Sequence, residues 1–128
     1  MEAGNFNIET GLEFRGFVGE QYVIDLDVEP RHHNMMGFVH GGVLCSLMDT
    51  AMARSFFYSL PDGKRAGATL EMKINFLRST TAGKITAYGK LVNATKQTAY
   101  VEGYIENQEG QLVAKASATM IQFESRYT

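Results

Sequence analysis

Several segments of the chain alternate between hydrophobic and polar residues, which is the pattern of half-buried β-strands. Residues 21–30 show it first, with apolar side chains at every second position from Tyr22 to Val28 and acidic residues at positions 25, 27 and 29 on the other face. Further strands are predicted over residues 68–76, 84–93, 97–106 and 111–123, with turn-forming residues between them. The last three of these strands are expected to form an antiparallel meander.

A different pattern follows the paired glycines Gly41 and Gly42. Over residues 43–59 the apolar side chains occupy nearly every direction of a helical wheel. A helix that is apolar almost all round must be covered by other structure. The segment Pro61-Asp62-Gly63 is predicted to end this helix.

One buried helix between a first strand and four later strands predicts an α+β protein, in which a curved antiparallel sheet wraps around one long central helix. The 128 residues suffice for a single domain, which we predict to span residues 1–128. Such a sheet has open edges, and pairing with a second copy would cover them. A homodimer is therefore expected, with a homotetramer as the larger assembly of the same chain.

Composition and charge restrict the partners. The net charge is -2, from 12 basic and 14 acidic residues, so no basic excess favours nucleic acid or anionic lipid. The N-terminus lacks the apolar stretch of a signal peptide, and the longest apolar stretch is too short and too polar to span a membrane. The single cysteine, Cys45, cannot form an internal disulfide. These features predict a cytoplasmic protein that binds neither nucleic acid nor membranes.

Asp49 is the first candidate for chemistry, because it falls within the apolar helix. An unpaired carboxylate there would cost several kcal/mol in desolvation. Two interpretations are open. The carboxylate is either structural, satisfied by Arg54 or a neighbouring hydroxyl, or it is catalytic.

Gly41 and Gly42 are the second candidate. Glycines at a helix start expose backbone N–H groups and let a ligand approach closely, while the helix dipole favours developing negative charge. The pair is therefore suited to an oxyanion site, and an ordinary tight turn into a helix is the alternative.

The remaining candidates are weaker. His32 and His33 are adjacent, so on an extended segment they point to opposite faces, and we expect no metal site that includes them and His40. Ser46 shares one helix face with Asp49 and has no Gly-x-Ser-x-Gly surroundings, which argues against a catalytic triad. Cys45 is interpreted as a small buried side chain.

The segment Asn34-Met-Met-Gly-Phe-Val-His-Gly-Gly42, followed by Asp49, resembles the motif of the hotdog-fold acyl-CoA thioesterases of the phenylacetate-pathway and thioesterase superfamily member 2 type. The spacing Asn-x2-Gly-x2-His-Gly-Gly, with an acidic residue seven positions later, matches at every position. The stretch from Thr69 to Leu77 and the order of elements from Tyr22 to Phe123 are also similar to that family.

The resemblance implies a role for each matching residue. Asp49 would be the catalytic carboxylate, acting as a general base on water or as a nucleophile, and the Gly41 N–H would polarise the thioester carbonyl. Asn34 and His40 would shape the site. Thr69 stands where some relatives carry a serine that orients water. In the family, the helix carboxylate and the Asn–Gly loop of one site come from different subunits.

The resemblance also implies an acyl-CoA substrate, with free CoA as a product rather than a cofactor and no metal. Gly42 is a further candidate for substrate contact, and Arg78, Lys90 and Lys96 are candidates for binding the CoA phosphates. A hotdog-fold hydratase or dehydratase and a non-catalytic acyl-CoA-binding module are the alternatives. The sequence does not define the acyl group.

Overall fold

The predicted buried helix is α2, Gly41–Phe57, and it lies against a single sheet. The computed structural model describes residues 3–59 and 65–124. Within them a short helix, α1 (Asn5–Thr10), comes first, and a 3₁₀ turn (Pro30–His32) precedes the loop to α2. The six strands are β1 (Glu13–Val18), β2 (Gln21–Asp27), β3 (Arg65–Phe76), β4 (Lys84–Ala94), β5 (Thr98–Glu106) and β6 (Leu112–Glu124).

The strands are ordered β1-β2-β4-β5-β6-β3, and every neighbouring pair is antiparallel. The chain leaves β2, forms α2 and then crosses to the far edge of the sheet, where β3 pairs with β6. This confirms the α+β architecture of one long helix on a curved antiparallel sheet. Strands β1 and β3 are its two edges.

The core lies between α2 and the concave face of the sheet. Apolar side chains of the helix meet those of the four central strands, and burying them provides most of the driving force for folding. The largest fully buried members are Tyr22, Ile24, Leu26, Leu47, Met48, Met52, Phe56, Ile85, Ile105 and Met120.

Two glycines determine how closely α2 approaches the sheet. Gly89 of β4 pairs directly with Gly103 of β5 beneath the helix. A Cβ at Gly89 would lie 2.6 Å from the backbone nitrogen of Met52 and closer still to the carbonyl of Ala51. A Cβ at Gly103 would lie 2.8 Å from the sulfur of Met48. The helix backbone therefore packs on the strand backbone at a place where no side chain fits.

The outer face of the sheet differs from the simple alternation that the sequence suggests. Asp25, predicted to face solvent, is only 5% exposed. Its Oδ1 accepts a hydrogen bond from the hydroxyl of Thr86 at 2.7 Å, and Arg15 and Lys84 lie 3.5 and 4.0 Å from Oδ2. These neighbours cover the carboxylate and offset the cost of burying it.

The N-terminal elements α1 and β1 and the 3₁₀ turn are absent from the sequence prediction. The predicted helix terminator, Pro61-Asp62-Gly63, lies outside the described residues. Among the described helices, none combines the length and the apolar character needed to cross a bilayer.

Gly89→Ala tests the close approach. The new methyl group would meet the helix backbone, which cannot move aside as a flexible side chain does, so we expect the free energy of unfolding to fall by about 3 kcal/mol. Urea unfolding measures this change. Gly4→Ala is the control, because a Cβ there meets nothing within 4 Å. Equal stability of the two variants would contradict the packing described.

Candidate active site

Asn34 organises the loop in front of α2. Its Oδ1 accepts hydrogen bonds from the N–H groups of Met36, at 2.9 Å, and Phe38, at 3.2 Å. Gly37 closes the turn with a φ of 82°, a conformation that favours glycine. The side-chain amide of Asn34 thus shapes the loop, while Met35 and Met36 beside it are exposed.

His40 is the N-cap residue of α2. Its Nδ1 accepts the Gly42 N–H at 2.8 Å. Because a backbone N–H can only donate, Nδ1 carries the lone pair and the proton of the neutral ring is on Nε2. His40 is therefore a hydrogen-bond donor through Nε2, and the N–H of Gly42 is already used within the chain.

The N–H of Gly41 has no acceptor within residues 3–59 and 65–124. A Cβ at Gly41 would lie 3.3 Å from Cζ of Phe76, so the ring at the end of β3 packs over the start of the helix. Gly41 also lines a cleft of about 380 Å³. It is lined by Asn34, Phe38, Val39, Gly41, Leu44, Phe76, Leu77, Arg78, Ser79 and Thr80.

Asp49 lies two helical turns further along and is partly buried. Its Oδ1 accepts a hydrogen bond from the hydroxyl of Thr69 on β3 at 2.8 Å. Among the described residues no cation is within ion-pair distance of Asp49. Arg54 instead donates to the hydroxyl of Tyr22 at 3.1 Å and stacks on Phe14, with 3.8 Å between Cζ and the ring centroid.

The other polar groups of α2 bond to their own helix. The hydroxyls of Ser46 and Thr50 donate to the carbonyls of Gly42 and Ser46, at 2.8 and 2.7 Å. Burial, and secondly the negative charge of Asp49, raise the pKa of the Cys45 thiol. The thiol is therefore protonated at neutral pH and is a poor nucleophile.

The three histidines bond to separate partners. His32 contacts the carbonyl of Thr10 and His33 that of Thr81, each at 2.7 Å, while His40 caps α2. In the described part of the chain, no three His, Cys, Asp or Glu side chains converge as metal ligands. The expectation of a metal-free site remains a prediction.

The three basic residues predicted to bind CoA phosphates do not form one cluster. Arg78 lines the Gly41 cleft, whereas Lys90 lies on the outer face of the sheet, 3.3 Å from a carboxylate oxygen of Glu20. Lys96 is in the turn between β4 and β5, at the other end of the sheet. A larger cleft of about 920 Å³ includes Lys90 but none of the predicted catalytic residues.

Phe76 is the site residue that sequence reasoning missed. Its position was predicted as the end of a strand, and nothing in the alternation indicates that the ring covers Gly41. Only the crossing of α2 over the sheet brings these two residues together.

Similar proteins share this architecture. A conserved Pseudomonas aeruginosa protein superposes with a TM-score of 0.87 at 27% identity, covering 94% of this chain and 95% of that one. A Streptococcus pneumoniae thioesterase-type protein solved with coenzyme A gives a TM-score of 0.81 at 29% identity, with 93% and 92% covered. A Listeria monocytogenes 1,4-dihydroxy-2-naphthoyl-CoA hydrolase is 29% identical over 111 residues, 86% of this chain and 89% of that protein.

One long helix wrapped by a curved six-stranded antiparallel sheet is the hotdog fold. Residues 36–114 match the family model described as the thioesterase superfamily, and the chain belongs to that family. This confirms the family suggested by the motif from Asn34 to Gly42.

His40→Ala tests the capping role of the imidazole. Removing the acceptor for the Gly42 N–H should lower the free energy of unfolding by about 1 kcal/mol. His40→Asn supplies a side-chain oxygen for the same N–H and should stay close to the native value. Denaturant unfolding measures the free energy of unfolding of both variants. A native value for His40→Ala would contradict the capping role of the imidazole.

Proposed function

We propose that this protein hydrolyses the thioester of an acyl-CoA to a carboxylic acid and free CoA. The observation that carries the proposal is the carboxylate of Asp49. It is partly buried on an apolar helix, is held by the Thr69 hydroxyl, and has no cation paired with it among the described residues. A carboxylate kept in such a place without a charge partner is suited to accept a proton or to attack a carbonyl.

The relatives support this substrate class. The Listeria relative is named as the hydrolase of a CoA thioester, and the Streptococcus structure contains coenzyme A. In this chain, Arg78 at the rim of the Gly41 cleft is the basic residue best placed for a CoA phosphate.

The proposed reaction uses water as the second reactant. Asp49 removes a proton from water as the oxygen attacks the thioester carbon, and the carbonyl oxygen becomes an oxyanion that accepts the Gly41 N–H. The C–S bond then breaks, the acyl group leaves as the acid, and the proton passes to the CoA thiolate. Alternatively, the carboxylate of Asp49 attacks the thioester carbon and the C–S bond breaks, so that CoA leaves as the thiolate. Water then hydrolyses the resulting anhydride to the acid and the restored carboxylate, and the proton released passes to the thiolate.

One chain alone is poorly arranged for this reaction. Gly41 and Asp49 are eight residues apart on one helix, which is about 12 Å at 1.5 Å per residue. Groups that act on one carbonyl need to lie about 3–3.5 Å from the reacting atoms. Gly41, Cys45 and Asp49 share one helix face, at i, i+4 and i+8, so a second α2 packed antiparallel along this face would place Gly41 beside the partner's Asp49.

The free edge of β3 supports a position for that second copy. Glu71 and Lys73 are exposed on either side of Met72. In an antiparallel pair of β3 strands centred on Met72, each Glu71 lies opposite the partner's Lys73, an arrangement that stabilises cross-strand pairs.

The same register completes the site. Because Leu70 is a bulge residue in β3, it brings Thr69, which holds Asp49, opposite the partner's Ile74 and diagonal to the partner's Phe76 on the same face of the sheet. Because Phe76 packs over Gly41 within each chain, the carboxylate of one chain and the helix start of the other meet at each end of the β3 pair. The proposed active unit is therefore a homodimer with two shared sites.

A thiol-release assay with acyl-CoA esters tests the function. Hydrolysis frees CoA thiol, whereas hydration or simple binding frees none. Asp49→Asn removes the charge while keeping the size, so turnover should fall by about 10²-fold or more. Asp27→Asn, at an exposed carboxylate outside the site, is the matched control and should keep native turnover.

Thermal melting of the same preparations completes the test. A catalytic Asp49 predicts an Asp49→Asn protein that is at least as stable as the native one, since a partly desolvated charge is lost. Near-native turnover in a destabilised Asp49→Asn protein would instead assign Asp49 a structural role. Absence of thiol release from short-chain, long-chain and aryl CoA esters alike would overturn the proposed function.

A further inference from the structure

His32 is buried, and both nitrogens of its ring are used. Nδ1 accepts the N–H of Glu29 at 2.9 Å, and Nε2 lies 2.7 Å from the carbonyl oxygen of Thr10. Because the Glu29 N–H can only donate, the ring proton is on Nε2 and is donated to Thr10. The imidazole is therefore neutral, and its tautomer is determined by its partners.

These contacts hold the N-terminal helix. The last carbonyls of a helix have no partner within it and need donors from elsewhere. In α1, the carbonyl of Thr10 accepts a hydrogen bond from the His32 ring, and the carbonyl of Glu9 accepts one from the guanidinium of Arg31. The 3₁₀ turn thus caps α1 with two consecutive side chains.

The backbone of His32 extends the connection to the site. Its carbonyl accepts the N–H of His40 at 2.8 Å, one residue before Gly41. The neighbouring Val39 N–H donates to the carbonyl of Thr80 at 2.9 Å, which fixes the other wall of the cleft. One buried residue therefore joins α1, the 3₁₀ turn and the start of α2.

We propose that His32 is a positioning residue that fixes the place and direction of the Gly41 N–H. Its effect on catalysis rests on the proposed function. His32 does not line the cleft, so it acts through the backbone bond to His40 rather than by touching substrate. A preorganised oxyanion donor loses much of its value when it is displaced even slightly.

His32→Phe tests the proposal, because the ring is kept while both hydrogen bonds are lost. We expect kcat to fall about tenfold, with the KM for acyl-CoA unchanged to within about twofold. Amide hydrogen exchange of His40 and Gly42, followed by NMR, should become about tenfold faster. His32→Gln has a side-chain amide able to donate to the Thr10 carbonyl, and it should give values between native and His32→Phe.

Asp25→Asn is the matched control. It perturbs another buried polar residue, on the outer face of the sheet, and should lower the melting temperature without changing kcat or the exchange of His40 and Gly42. If His32→Phe, like this control, keeps native kcat and native amide exchange at His40 and Gly42, the proposal is overturned. If His32→Phe does not fold, His32→Gln decides by the same comparison.

The exchange measurement needs no substrate, so the two proposals fail separately. Suppose that His32→Phe exchanges the amides of His40 and Gly42 faster than the native protein does, while the native protein hydrolyses no acyl-CoA. The positioning role would then stand, and only the proposed function would be overturned. If His32→Phe instead keeps both native exchange rates and normal thioester hydrolysis, only the positioning role is overturned.

Discussion

The close contact between α2 and the paired strands β4 and β5 is the constraint on which the rest of the structure depends. Gly89 and Gly103 lie side by side under the helix. The helix backbone packs on the strand backbone at Gly89, and the side chains of Met48 and Met52 occupy the space above Gly103. This packing of α2 on β4 and β5 determines where both ends of the helix lie. It brings Asp49 within hydrogen-bond distance of Thr69 and Gly41 against Phe76, so the candidate site is a consequence of helix packing.

The polar groups near α2 divide into two kinds. Arg54, Ser46, Thr50 and His40 bond within their own chain, so burial costs them little. The Gly41 N–H and one oxygen of Asp49 have no partner in the described part of the chain. These two groups are a donor for an oxyanion and an acceptor for a proton, and they lie two turns apart along one helix face. The proposed site shared between two antiparallel copies would bring these two groups together.

Much of this could be predicted from the sequence where the signal is local. The apolar stretch of α2 and the alternation in β2 to β6 specified those elements, and the motif from Asn34 to Gly42 indicated the family. Helix α1 is too short for a periodic signal, and the bulge of β1 between Phe14 and Gly16 interrupts its alternation. The Thr69–Asp49 bond and the Phe76–Gly41 contact depend on the tertiary crossing. Gly89 and Gly103, inside predicted strands, were a readable sign of close backbone approach.

Complementation between inactive chains tests the shared site most directly. Differently tagged Asp49→Asn and Asn34→Ala chains are co-expressed, and the mixed dimer is isolated through both tags. In that dimer one site combines both native halves and the other combines both substitutions. We expect each parent to be nearly inactive and the mixed dimer to recover about half of the native turnover, because one of its two sites is intact. A mixed dimer as inactive as its parents would show that each site belongs to one chain and would contradict the account.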